Sequence, residues 1–398
     1  MGDDGGMTAE QRSAAVFAGA ELVKIVHGTV AGMRKAQSDR ISSSPLRLVP
    51  GASHVTDVVD RSMTMAEQSV AATVTAIAEI VAPVVRWGTP ADAAAIDTSV
   101  RGGAVLAAIG AAVGDSLAAE AQTRALVPEL SLRQDGQEVT PDDFVESHQE
   151  SAETLVVFLH GLGCTELNWS SEVLAAVGSA VPVLVRYPTG SAITDNGEAL
   201  AAVMEQLLAD LPQCQRIVFV GHSMGGLVAW RAIEVSPVLA ERVSDLITLG
   251  TPHGGSPIEK GAQAALMVLN SFRATRPLAS LGHRRSAGIK DLRHGAIRVE
   301  DWAGRDPDTA LLDRSLLRPL PSHITHHAVV AIWPEPADDW KGSLIGDGAV
   351  RRASAEAQDH SESHPEFQPK ITVLESSSHL SLIGHPDVAD LIAKVVSN

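Results

Sequence analysis

The segment GHSMGG (residues 221–226) sets one serine among glycines, directly after the apolar run at 217–220. Such a run is typical of a parallel strand buried on both faces, and apolar residues at helical spacing begin at Leu227. A strand that becomes a helix this quickly needs a tight bend, which glycines permit because they carry no Cβ. The bend directs the Ser223 hydroxyl and the Met224 N–H to the end of the sheet, as in a nucleophile elbow.

The pattern G-x-S-x-G also occurs by chance, so the rest of the chain must decide whether Ser223 reacts. A serine hydroxyl becomes a good nucleophile only when a base removes its proton and an acid orients that base. His379 fits the base, because it lies in SSSHLSLIGHPDV just after a predicted strand. Asp347 fits the acid, because it lies between two glycines after another predicted strand. Three further carboxylates share its loop: Glu335, Asp338 and Asp339.

Other polar residues near these motifs have simpler interpretations. His160 and His222 adjoin the glycine-rich segments and are interpreted as structural neighbours, as is His385, which precedes a predicted helix. Cys164 has no base motif of its own and is rejected as the nucleophile. His253 has no second histidine or carboxylate at metal-ligand spacing, so we expect no catalytic metal. We also expect no cofactor.

Composition limits the classes of partner. The chain has 398 residues and a net charge of −17, which argues against general nucleic-acid binding. Its two cysteines do not make a disulfide framework. The first residues lack the basic and apolar regions of a signal peptide, and charges or proline interrupt the longest apolar runs. We therefore expect a cytoplasmic protein, and the sequence leaves open a peripheral contact with a membrane.

The composition changes near residue 127. Residues 1–127 are rich in Ala, Val and Gly and show helical periodicity, which predicts a helical N-terminal region. From 128 to 398, apolar strands alternate with helices, which predicts a mostly parallel sheet covered on both faces. The long gap between two of these strands predicts a cap insertion at about 256–325. The strands are expected at 130–139 (a hairpin), 154–160, 182–187, 216–220, 245–249, 326–332 and 370–374.

Five segments together resemble bacterial lipases and esterases of the α/β-hydrolase superfamily, especially triacylglycerol-lipase-like and GPI inositol-deacylase-like members. They are HGLG (160–163), GHSMGG (221–226), LGTPHGGSP (249–257), GDGAV (346–350) and SHLSLIGHPDV (378–388). The resemblance covers residues 128–398. SAGIKDLRHG (286–295) is similar to the cap of some of these esterases, a weaker match.

The resemblance implies a serine hydrolase that cleaves carboxylic esters, with a doubly wound α/β-hydrolase sheet and a helical cap. Ser223 would be the nucleophile, His379 the base and Asp347 the acid. The N–H groups of Leu162 and Met224 would form the oxyanion hole. The substrate would be a small-molecule or lipid ester.

Two alternatives stay open at this point. The same triad serves thioesterases, amidases and acyltransferases, and a fold does not specify a substrate. The chain could also be a helical interaction protein whose hydrolase domain is silent, although an intact triad argues against silence. The sequence does not define the acyl chain, the alcohol or the oligomeric state.

Overall fold

A computed structural model gives the structure of the chain. Asp347 and most of the N-terminal region lie outside the residues that it describes. The described residues are 8–16, 107, 124, 127–255, 286–302, 317–332, 350, 352–358 and 368–398.

These residues form an eight-stranded sheet in the order β2-β1-β4-β3-β5-β6-β7-β8. Strand β1 runs antiparallel to its neighbours β2 and β4, and every other neighbouring pair is parallel. The predicted mostly parallel sheet is therefore confirmed. The strands are β1 Ser131–Gln134, β2 Gln137–Val139, β3 Thr154–Leu159, β4 Val181–Arg186, β5 Arg216–His222, β6 Val243–Leu249, β7 Thr325–Ile332 and β8 Lys370–Glu375.

Helices follow the strands, as the alternation in the sequence predicts. Short 3-10 helices at Glu166–Asn168, Val299–Trp302 and Leu380–Gly384 complete the described elements. The α-helices are α1 Pro141–His148, α2 Ser171–Ala175, α3 Ile193–Asp210, α4 Met224–Val235, α5 Pro237–Arg242, α6 Ala287–His294, α7 Arg352–Ala355 and α8 Pro386–Val396.

The apolar run of β3 contributes to the core on both faces of the sheet. Leu155, Val157 and Leu159 belong to the core on the side of α3 and α4. The alternate residues Val156 and Phe158 belong to the core that includes α2 and α8. Successive strand residues point to opposite faces, so a strand covered on both sides is apolar throughout. This burial fixes the strand ends that carry the loops of the candidate site.

A cluster of charges joins the starts of three central strands. Arg216 on β5 forms an ion pair with Asp245 on β6 at 3.0 Å, and His327 Nε2 on β7 lies 2.9 Å from the other Asp245 oxygen. Burial raises the pKa of Asp245, but hydrogen bonds with His327, Ser244 and Arg216 outweigh it and lower the pKa to about 2. The stability that the lowered pKa brings is present above the ordinary pKa of 3.8 and is lost as pH falls toward 2.

Residues 286–302, within the region predicted to be a cap, are fastened to the core through Asp291 on α6. Helix α3 begins after Ala192, which has no side chain able to cap it. Asp291 Oδ2 instead accepts the Ile193 N–H at 2.8 Å, and its other oxygen accepts the Trp302 indole N–H at 2.7 Å. Burial raises the pKa of Asp291 to about 6, although both hydrogen bonds act in the opposite direction. Residues 256–285 and 303–316 of the predicted cap lie outside the described residues.

The described residues fall into two compact units, of which one holds the sheet and the other holds residues 8–16. Residues 9–16 are helical. Thr8 Oγ1 accepts the Gln11 N–H at 3.1 Å, and the Gln11 side chain accepts the Thr8 N–H at 3.2 Å, which forms a capping box. In the described part of the chain, no helix combines the length and apolar character needed to cross a bilayer.

Candidate active site

Ser223 lies at the sharp turn between β5 and α4. Its backbone has φ 53° and ψ −119°, a conformation that costs a non-glycine residue about 1–3 kcal/mol. Hydrogen bonds maintain it: the Ser223 N–H donates to Leu249 C=O at 2.8 Å, and Ser223 C=O accepts from Thr251 Oγ1 at 2.9 Å and from the Gly226 N–H at 3.2 Å. A Cβ at Gly225 would lie 2.3 Å from Leu159 C=O, so only glycine lets α4 approach β3 this closely. The surroundings thus hold Ser223 in a strained turn.

The HGLG loop after β3 lies against this turn. A Cβ at Gly161 would lie 3.1 Å from Ser223 Cβ and 2.7 Å from His222 Nδ1. Neither the Leu162 N–H nor the Met224 N–H donates a hydrogen bond to another residue that the structure describes. The two donors that the sequence singled out therefore lie on segments that contact each other.

Tyr187, just after β4, holds the start of the HGLG loop. Its hydroxyl donates to His160 C=O, and its ring stacks on the His160 ring at a centroid distance of 4.4 Å. The Tyr187 N–H also lies 3.4 Å from His160 Nε2, while His160 Nδ1 donates to Gly161 C=O at 3.1 Å. Burial lowers the pKa of His160 to about 4, so this histidine is neutral near pH 7. It supports the loop and carries no charge into it.

A buried ion pair holds the other end of the same loop. Arg186 Nε donates to Glu166 Oε2 at 2.6 Å, and a second bond joins Arg186 Nη2 to Glu166 Oε1. Both side chains are almost completely buried. Midway along the loop, the Gly163 N–H donates to Thr189 Oγ1 at 3.3 Å. The last residue of β4, Arg186, and two residues just after it, Tyr187 and Thr189, thus fix the loop that carries the Leu162 N–H.

We expect Glu166→Gln to destabilise the protein by about 3–5 kcal/mol, because it leaves the buried Arg186 cation without its counter-charge. Urea denaturation followed by circular dichroism measures the change. Glu198→Gln is the matched control, since Glu198 forms a partly exposed pair with Arg231 and should cost less than about 1 kcal/mol. Equal losses of unfolding free energy in the two variants would show that the buried Arg186–Glu166 pair contributes no more to stability than the partly exposed pair.

The loop after β8 brings His379 beside the elbow. The Ser377 N–H donates to Ile332 C=O at 3.1 Å, which ties the start of the loop to β7. The His379 backbone C=O lies 3.0 Å from His222 Nε2, and the centroids of the two imidazole rings are 4.8 Å apart. His222 immediately precedes Ser223, so the structure brings the predicted base and the predicted nucleophile into one neighbourhood.

Asp347 and its rivals Glu335, Asp338 and Asp339 lie outside the described residues. The segment that follows Asp347 is described at residues 350 and 352–358, and it contacts the TPHGG loop. His253 Nδ1 lies 3.1 Å from Ser354 C=O, and the Gly254 N–H donates to Ser354 Oγ at 3.0 Å. His253 thus has a structural contact. Across the described residues, no group of three His, Cys, Asp or Glu side chains is arranged to hold a metal ion.

The remaining sequence candidates have roles in packing. Cys164 is partly buried, and burial raises the pKa of its thiol, which disfavours the reactive thiolate. His385 Nδ1 accepts the Asp387 N–H at 3.2 Å and so caps α8. Sequence reasoning missed Tyr187, although it is the only tyrosine of the chain and the last residue of a predicted strand. It also missed Thr251, which lies within the matched segment LGTPHGGSP.

A mostly parallel sheet flanked by helices, with a strained serine where a central strand turns into a helix, defines an α/β-hydrolase. The model of the Alpha/beta hydrolase family matches residues 156–390, and the chain belongs to that family.

Curated relatives match only a short part of the chain. The GPI inositol-deacylase of Emericella nidulans is 38% identical over 50 residues, which is 13% of this chain and 4% of that protein. The corresponding protein of Aspergillus fumigatus is 37% identical over 49 residues, or 12% of this chain and 4% of its own length. The chain therefore spans a very small share of these relatives.

Similar solved structures include lipases and esterases. The Bacillus licheniformis lipase BlEst2 in its propeptide form is 20% identical, with a TM-score of 0.42, over 61% of this chain and 51% of that one. The esterase RhEst1 from Rhodococcus sp. ECU1013 is 19% identical, with a TM-score of 0.38, over 68% of this chain and 98% of that one.

Proposed function

We propose that the protein is a serine hydrolase that cleaves carboxylic esters through an acyl-enzyme on Ser223. One observation carries the proposal: Ser223 is held at φ 53° beside the HGLG loop, with the loop of His379 bonded to the adjacent residue. Strain of this kind clusters at active sites, and a turn of this type directs a nucleophile to the end of the sheet.

In the proposed reaction, His379 takes the Ser223 proton as Oγ attacks the ester carbonyl. The Leu162 and Met224 N–H groups bind the oxyanion of the tetrahedral intermediate. The intermediate collapses, His379 gives its proton to the leaving alcohol, and the acyl group remains on Ser223. Water then attacks the acyl-enzyme with His379 again as base, and the carboxylic acid is released. Asp347 orients His379 throughout.

The substrate proposal is an acyl ester of a small molecule or a lipid. The short match to proteins named GPI inositol-deacylase supports this class, because a deacylase removes an acyl group. A thioesterase, an amidase or an acyltransferase would use the same residues, and a silent domain would show no turnover. The test must therefore separate these outcomes.

The experiment measures kcat/KM for p-nitrophenyl esters of graded acyl length, and for the thioester and anilide of the best acyl group. Ser223→Ala serves as the blank for each substrate. We expect Ser223-dependent turnover with the ester preferred. A preferred thioester or anilide would replace the ester assignment, and the absence of any Ser223-dependent turnover or labelling by a fluorophosphonate would support a silent domain.

We expect Asp347→Asn to lower kcat by roughly 10²- to 10⁴-fold with little change in KM. The substitution keeps the shape of the side chain but removes the charge that stabilises the His379 imidazolium. Asp338→Asn and Asp339→Asn are the matched controls and should each cost less than roughly tenfold. If Asp338→Asn or Asp339→Asn lost most of its kcat while Asp347→Asn stayed active, the carboxylate changed in the slow variant would be the acid.

A further inference from the structure

We infer that His222 is a positioning residue for the proposed reaction, a neutral imidazole wedged between the HGLG loop and the loop that carries His379. The inference deepens the proposed function and rests on it. It assigns a role to the residue before the nucleophile, which the proposed mechanism leaves unused.

The contact with the base loop defines the tautomer of His222. Its Nε2 lies 3.0 Å from the His379 backbone C=O, and a carbonyl oxygen can only accept a hydrogen bond. His222 Nε2 must therefore carry the proton and donate it. In a neutral imidazole the other nitrogen, Nδ1, is then unprotonated.

His222 Nδ1 is the ring nitrogen that faces the HGLG loop. A Cβ at Gly161 would lie 2.7 Å from His222 Nδ1 and 3.1 Å from His222 Cε1, so the ring fits against bare backbone. Nδ1 is buried and has no hydrogen-bond partner among the described residues. The ring therefore touches both loops and is tied by a hydrogen bond to one of them.

The neutral state of His222 matters because His379 must become a cation during the reaction. Burial lowers the pKa of His222 to about 3, helped by the nearby His379 and His160. The two titratable groups that act on the pKa of His222 are therefore His379 and His160. A second cation with its ring 4.8 Å away would oppose the His379 imidazolium, whereas a neutral ring does not.

The hydrogen bond acts on the backbone of His379 itself. His379 stands at the start of the 3-10 helix Leu380–Gly384, and its carbonyl is held by a ring fixed next to the nucleophile. Losing this bond lets the base loop shift relative to Ser223. A misplacement of about 1 Å can cost roughly 10²-fold in rate, because a catalytic proton transfer depends on short distances.

Two substitutions separate this role from simple filling of space. In His222→Gln, the amide nitrogen can replace Nε2 and donate to His379 C=O, whereas His222→Leu fills the buried site without any donor. We expect His222→Gln to keep kcat within roughly fivefold, and His222→Leu to lower kcat by roughly 10- to 100-fold with KM unchanged. A purely packing role predicts the reverse order, because leucine suits a buried site better than glutamine.

His327→Leu is the matched control, since it also removes a buried histidine donor but at the opposite end of the sheet. It should lower the melting temperature and leave kcat unchanged. In nitrogen-15-labelled histidine spectra, His222 should remain the neutral Nε2–H tautomer from pH 8 down to about pH 4. Titration of His222 near pH 6, or the Nδ1–H tautomer, would overturn the inference.

The outcomes also separate this inference from the proposed function. An active wild type with His222→Leu as fast as His222→Gln overturns the positioning role alone. A wild type without Ser223-dependent turnover on any substrate overturns the proposed function, and the positioning role falls with it.

Discussion

Ser223→Ala should lower kcat for ester hydrolysis by at least about 10³-fold while the protein stays folded. The substitution removes the nucleophilic oxygen but keeps the Cβ, so the backbone at φ 53° experiences no new steric demand. The hydrogen bonds of the Ser223 backbone with Leu249 and Thr251 also remain. Steady-state kinetics on the best p-nitrophenyl ester, together with thermal melting of the same sample, measure both parts of the prediction.

The matched control is Ser179→Ala, which changes an exposed serine in the turn before β4. It should keep wild-type kinetics and wild-type labelling by a fluorophosphonate, whereas Ser223→Ala should lose both. Wild-type turnover by purified, folded Ser223→Ala would refute the proposed mechanism as a whole.

His379→Ala should also cost at least about 10³-fold in kcat, because nucleophile and base act as one unit. The variant keeps Ser223 but has no imidazole to accept its proton. Steady-state kinetics of wild type and variant on the best p-nitrophenyl ester, together with thermal melting of both, make the measurement.

His385→Asn is the control for this second prediction. Asparagine retains an acceptor for the Asp387 N–H that His385 Nδ1 now caps, so the start of α8 is preserved. We expect activity within roughly threefold of wild type. Wild-type turnover by folded His379→Ala, or a His385→Asn variant as slow as His379→Ala, would remove His379 from the role of base.

The sheet could be predicted from the sequence because its signals are local. Buried strands are continuous apolar runs. The Asp135–Gly136 pair marks the first hairpin, and both residues adopt positive φ, which aspartate and glycine tolerate better than most residues. The candidate nucleophile and base were found for a similar reason, since each lies in a short motif just after a strand. Residues whose chemistry depends on a short motif can be recognised from that motif alone.

The supports of the site could not be predicted, because their partners are far apart in the chain. Tyr187 bonds to a residue 27 positions away, and Asp291 caps a helix 98 positions away. Nothing in the periodicity of either segment indicates such a pairing, which arises only when the sheet assembles. The choice of Asp347 among several carboxylates depends in the same way on the path of a loop, which the local sequence does not determine.

The capping of α3 by Asp291 has a consequence for how this fold can be diversified. Residues 286–302 supply a carboxylate that the start of α3 lacks, so this segment is a component of the folding unit and not an interchangeable accessory. Recombination that replaces residues 286–302 with a foreign segment would leave the first turn of α3 without its acceptor. Successful grafts should therefore carry an acidic residue at the position of Asp291, or acquire a serine, threonine or aspartate in place of Ala192.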